Sequence, residues 1–126
     1  MKITLPILSQ TIQGDQVIST ETEQEFELDT SVYSEERWEQ HFPIQAAKEG
    51  LYQYIERIHT AATTSERVRV ASMLKAIYCF IESSRIPTYK DFAMLFNLAA
   101  PDYTEKLIRK LHNAFKLVLN GSSVKN

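Results

Sequence analysis

Within the first thirty residues two short stretches alternate apolar with polar side chains. Ile3, Leu5 and Ile7 alternate with polar or turn residues, and Phe26 and Leu28 alternate with Glu25, Glu27 and Asp29. A period of two puts successive side chains on opposite faces of a strand. Ile12 and Val17 flank Gly14-Asp15, so the stretch 13–16 reads as a tight turn, although Gly-Asp is a less specific hairpin signal than Asn-Gly. The pattern predicts two or three short strands, with the polar stretch Ser19 to Gln24 as a loop.

From Thr30 the period becomes helical. Thr30 or Ser31 is placed to cap a helix over about 31–42, with Glu35 and Glu36 near its positive end and Trp38 and Phe42 on one face at i, i+4. Pro43 marks a break or kink. Over 44–59 the residues Ile44, Ala47, Leu51, Tyr54, Ile55 and Ile58 fall in a stripe about 100° wide. Gly50 weakens that helix by about 1 kcal/mol relative to alanine, and 61–64 is read as a connection.

Thr63 and Glu66 have capping-box spacing at the head of a helix over about 64–82, apolar around nearly its whole circumference from Val68 to Ile81. Such a helix belongs at the centre of a domain. The run from Ser83 to Pro87 stops it, and Thr88 with Asp91 opens a shorter helix over about 89–98 bearing Phe92, Leu95 and Phe96. Asp102 with Glu105 starts the last helix, about 102–119. There Leu107, Leu111, Ala114 and Val118 form a stripe that Ile108, Phe115 and Leu119 widen to about 140°. Asn120-Gly121 has the form of a C-terminal cap, and 121–126 reads as a flexible tail.

These elements define an α+β fold, mainly α: an N-terminal hairpin or small sheet over about 2–28 packed on a bundle of about five helices. The 126 residues suit one domain, with 1–29 extended and 30–120 helical. With 44% apolar and 24% charged residues the chain is far from the signature of disorder. The net charge of −2 hides a split. Residues 1–42 carry two cations against nine anions, −7, and residues 43–126 carry twelve cations against seven anions, +5. The two halves can complement each other within the fold or between copies, and the junction at Phe42 and Pro43 is where docking and partner binding would compete.

Candidate chemistry is sparse. The single cysteine, Cys79, excludes an internal disulfide, favours a reducing compartment and lies in the most apolar segment, where a thiol is inert. His41, His59 and His112 each stand alone, without a second histidine or cysteine three or four residues away, and are read as surface imidazoles. Gly14, Gly50 and Gly121 are too scattered for a phosphate-cradling loop. The acidic pairs Glu35-Glu36 and Asp102/Glu105 are explained by helix starts. No catalytic, cofactor or metal residues are assigned, and a non-enzymatic role is expected. The N-terminus does not read as a signal peptide, because Thr4, Pro6 and Ser9 break its apolar stretch, and no run approaches the ~20 apolar residues of a membrane span.

What remains is surface for partners. Tyr33, Trp38 and Phe42 cluster in one short helix, and Ile108, Phe115 and Leu119 exceed what one neighbouring helix covers; these six are the candidate partner-binding residues. An alternative is a helix-turn-helix DNA-binding regulator using 89–118, with Lys106, Arg109, Lys110 and Lys116 on its second helix. Against it stand a turn without glycine, a broad apolar arc and a pI of 5.9.

The opening strand Met1-Lys2-Ile3-Thr4-Leu5, the strand Phe26-Glu27-Leu28-Asp29, the run from Thr30 to Pro43 with its Tyr33, Glu35, Glu36, Trp38 and Phe42, and the helical bundle beyond resemble tail assembly chaperones of long-tailed bacteriophages of Gram-positive hosts. The specific part of the resemblance is 26–43. It implies a non-enzymatic adaptor, without cofactors, that keeps the apolar helical tape measure protein soluble and helps recruit tail tube protein. It also implies action in the cytoplasm of the infected cell and absence from the mature virion, where a tail completion subunit would instead remain. Self-association is a further use for apolar helix surface. Such families are often made in two lengths by ribosomal frameshifting, and Lys125-Asn126 is compatible with an adenine-rich slippery heptamer.

Overall fold

In the computed structural model, which describes residues 1–60, 65–81, 86 and 88–120, the alternating N-terminal segment forms one antiparallel hairpin of two twelve-residue strands, β1 (Lys2–Gln13) and β2 (Gln16–Glu27). Its register places Ile3 opposite Phe26 and Ile12 opposite Val17. Gly14 has φ 61°, and no described non-glycine residue has a positive φ. A two-residue loop with its left-handed residue in first place has the form of a type II′ turn, whose twist matches that of the strands.

The strands are longer than their apolar pattern predicts. The stretch from Ser19 to Gln24, expected as a loop, pairs with Leu5 to Gln10 across the ladder. Its polarity reflects exposure: the strand is held by backbone bonds to β1 while its side chains face water, and Thr20 and Thr22 are β-branched residues that suit a strand.

Among the described residues six helices follow: α1 (Tyr33–His41), α2 (Pro43–Ala46), α3 (Leu51–Thr60), α4 (Glu66–Phe80), α5 (Tyr89–Ala93) and α6 (Pro101–Asn120). The α+β, mainly helical class is as the periodicities predict. α1 starts at Tyr33 with Val32, not Thr30 or Ser31, at its cap position and no side-chain cap bond there, and three further boundaries differ, each for a local reason.

The helix expected over 44–59 is two helices. At the break, Glu49 gives its carbonyl to Trp38 Nε1 at 3.0 Å, the Gly50 amide donates to Gln53 Oε1, and the Leu51 amide donates to Glu35 Oε2 at 3.0 Å. The start of α3 is therefore capped by a carboxylate from α1, and Ile44 and Ala47 leave the apolar stripe for solvent. At the head of α4 the capping residue is Ser65, whose Oγ accepts from the Val68 amide; Thr63 lies outside the described residues. Thr88 does cap α5 through the Asp91 amide, but that helix stops after Ala93. The chain then passes through Phe96, which bridges Leu8 of β1, and resumes as α6 at Pro101, a first-turn position where a missing N–H costs nothing.

The core is one contiguous cluster. α4 lies at its centre, with Val70, Met73, Ala76, Ile77, Cys79 and Phe80 removed from solvent, and α6 adds Leu107, Leu111, Ala114, Phe115 and Val118. Ile3, Leu5, Ile7 and Phe26 bring the near half of the hairpin into the same cluster. Tyr103 fixes α6 to β1: its hydroxyl donates to the Pro6 carbonyl at 2.7 Å, and burial raises its pKa. The opposite charge of the two halves is realised where Lys106 Nζ meets Glu21 Oε2 at 2.6 Å.

Candidate protein interaction site

The six residues singled out by pattern divide in the structure. Trp38 is 1% exposed, its ring against Phe42 and Tyr54, and Phe115 is fully buried on α6. Both are core side chains and present no surface to a partner. Phe42, Ile108 and Leu119 are half-buried and packed against the core. Tyr33 alone of the six is open, 56% exposed, with the Arg37 guanidinium 4.9 Å from its ring centroid.

Among the described residues, two regions group exposed apolar side chains, apart from the scattered Met1, Val68, Met94 and Leu117. The first comprises the two ends of α1: Val32, 80% exposed, and Tyr33 at its start, and Ile44, 78% exposed, in α2 beyond its end. Beside Ile44 a shallow groove of about 230 Å³ is lined by Glu39, Pro43, Ala46 and Ala47. The second is the far half of the hairpin. Every residue from 9 to 25 is exposed, and the directly opposed Ile12 and Val17 are 79% and 61% exposed. The period of two missed neither side chain, but it placed them as strand residues flanking a turn without showing that the hairpin outruns its core.

Titratable groups are placed as follows. Cys79 is buried, and burial pushes its thiol up to about 12. His41 packs edge-on against Tyr78, and burial lowers its pKa. His59 and His112, expected as isolated surface imidazoles, meet across α3 and α6 with their Nδ1 atoms 3.2 Å apart. Spacing rules see one helix at a time, so a contact between residues 53 apart gives no signal in them. No group of three or more His, Cys, Asp or Glu positioned to hold a metal ion occurs among the described residues.

A cleft of about 370 Å³ separates the starts of α4 and α6, lined by Ser65, Glu66, Arg67, Pro101 and Thr104. Arg67 Nε donates to the Leu98 carbonyl and Thr104 Oγ1 to the Ala100 carbonyl, so these groups already serve the backbone. The stretch 89–118 holds the five-residue α5 and most of the twenty-residue α6, and Lys106 of the latter is paired with Glu21. No described helix is long and apolar enough to cross a membrane.

The fold and its surfaces thus define an α+β domain with a projecting two-stranded arm. No protein-family model, curated protein or solved structure matches the chain.

Proposed function

We propose that this chain is a non-enzymatic assembly adaptor of the phage tail assembly chaperone type. It binds the apolar helical tape measure protein, keeps it soluble and helps recruit tail tube subunits. The observation that carries this reading is the exposure of apolar side chains at both ends of α1, Val32 and Tyr33 at its start and Ile44 in α2 just beyond its end, with a shallow groove next to Ile44. An amphipathic helix laid along such a surface buries apolar area on both partners. This is also the segment, 26–43, on which the resemblance to tail assembly chaperones rests.

The test is co-expression with the tape measure protein encoded in the same genome. The soluble fraction of that protein is expected to rise with this chain present and to fall back with Tyr33→Ala/Ile44→Asp. Equal insolubility with and without the chain defeats the reading. An adaptor of this kind works in the host cytoplasm and leaves the finished tail, so mass spectrometry of purified particles is expected to find none of it. Stoichiometric retention would favour a tail completion subunit instead.

A further inference from the structure

The arm raises a question that the α1 and α2 surface does not answer. A two-stranded hairpin is marginal in water unless a third strand or a helix covers it. Here only the near half is covered, by α6 and by the segment at Phe96. Beyond the Asn97 bond to Gln10 and the Lys106 bond to Glu21, the strands continue to a tip carrying the exposed pair Ile12 and Val17.

Charge narrows what can cover it. In β2 the odd-numbered Glu21, Glu23, Glu25 and Glu27 share one face with Val17, and their cross-strand neighbours put Ile12 on that face as well. Alternate residues lie about 7 Å apart, so this is a row of carboxylates running into an apolar tip, with Glu27 paired to the Met1 amino group, Glu25 to Lys2 and Glu21 to Lys106. α6 presents the complement. Arg109, Lys110, Lys116 and Leu117 are exposed and, at 100° per residue, fall within an arc of about 120° centred near Lys106. One such contact already exists within the chain, Lys106 on Glu21. The cations further along α6 repeat that chemistry, with Leu117 as their apolar neighbour.

We infer that the arm of one copy lies on α6 of a second copy. Glu23 of β2, between Glu21 and Glu25 that pair with Lys106 and Lys2 of their own chain, faces Arg109, Lys110 and Lys116 of the partner, and Ile12 and Val17 sit against its Leu117. Pairing of two arms through their β2 edges is disfavoured, since it would bring two rows of carboxylates together. A second copy is also the one partner present whenever the chain is folded. This inference does not rest on the chaperone reading, since it uses neither α1 nor α2.

Sedimentation velocity on the full chain over a range of concentrations is the test. The wild type is expected to associate, more weakly at high salt. Ile12→Asp/Val17→Asp, which alters only exposed positions, is expected to raise the dissociation constant at least ~10-fold with an unchanged circular dichroism spectrum. Glu23→Lys and Lys110→Glu are each expected to weaken association, and the two together to restore it. A wild type that is monomeric throughout, tip variants that associate like the wild type, or a charge swap that does not restore association each overturn the inference. Tape measure solubility with the tip variants separates the two readings, because loss of self-association alone leaves the α1 and α2 surface intact.

Discussion

Near the end of α3 and halfway along α6, His59 and His112 meet Nδ1 to Nδ1 at 3.2 Å. At that distance one ring donates its proton and the other accepts, so at least one imidazole is neutral. Other cations stand close. Arg69 of α4 donates through Nη2 to the His59 carbonyl at 3.5 Å, and Lys116 follows His112 by one helical turn. Burial is the largest cause holding the pKa of His112 below its ordinary value, followed by Arg69, His59 and Lys116.

The consequence for stability has a definite sign. A histidine whose pKa is lower in the folded state binds more protons when unfolded, so stability is complete above the unfolded pKa near 6.5 and is lost as pH falls through it. His41 acts in the same direction, mainly through burial. The urea midpoint is expected to fall between pH 7.5 and 5.5, with each histidine contributing at most about 1.4 kcal/mol per pH unit. His112→Gln should flatten that dependence. An unchanged slope in the variant would show that His112 does not govern it.

Trp38 supports a second prediction, in which its two candidate roles part. Its indole N–H donates to the Glu49 carbonyl at the break between α2 and α3, and its ring contacts Phe42 and Tyr54. Trp38→Ala is expected to cost about 3–5 kcal/mol of unfolding free energy, as for other buried aromatic truncations. Trp38→Phe keeps most of the packing but leaves the Glu49 carbonyl without that donor, for about 1–3 kcal/mol. Chemical denaturation measures both. A loss below about 1 kcal/mol for the alanine variant would place the side chain outside the core.

The same residue shows what the sequence does and does not reveal. Its i, i+4 relation to Phe42 is legible, because helical spacing determines which side chains share a face, and the two rings do touch. Which way that face points is a tertiary fact. It depends on α3 and α4 arriving from later in the chain, so an aromatic cluster of the kind that marks a partner surface is here a core anchor. Glu35 makes the same point: in the sequence it suits the start of α1, yet its carboxylate caps α3. The central position of α4 was fully legible, since a helix apolar all round has nowhere else to go. On the open side, Tyr33 is the one aromatic whose exposure matches its assignment to a partner.

Arg37 ties three elements together. Its Nε donates to the Cys79 carbonyl near the end of α4, and its Nη2 donates to the Asp29 carbonyl and to Asp29 Oδ2, at the exit from β2. Hydrogen bonds from Ser31 are the largest cause holding the Asp29 carboxyl below the usual carboxylate range, with Arg37 adding to them. Arg37→Met removes the donor to the Cys79 and Asp29 carbonyls, while the Asp29 carboxylate keeps its bond from the Ser31 amide, and is expected to cost about 1–3 kcal/mol. Arg37→Lys should recover little of this, because a single ammonium cannot reproduce a fork that reaches two separate backbone carbonyls. Denaturation of the two variants side by side is the check, and a lysine variant equal to wild type would show that charge alone is what the site requires.

Gly14 governs the geometry of the arm. Its φ of 61° is the left-handed region that L side chains rarely adopt, while a β-carbon built there meets nothing within 4 Å. Substitution is therefore opposed by backbone strain and not by crowding. Gly14→Ala is expected to cost about 1 kcal/mol in the hairpin. The exposed tip opens without unfolding the core, so the loss belongs to local stability and a global midpoint should barely register it. Amide hydrogen exchange along Thr11 to Ile18 is the appropriate measurement, where about 1 kcal/mol appears as exchange roughly fivefold faster. Asn-Gly is the preferred sequence for a type I′ turn, which also matches the twist of the strands. The double substitution Gly14→Asn/Asp15→Gly is therefore expected to return exchange to the wild-type rate or slower. If alanine leaves the rate unchanged, the turn has taken another form and the arm's register with it.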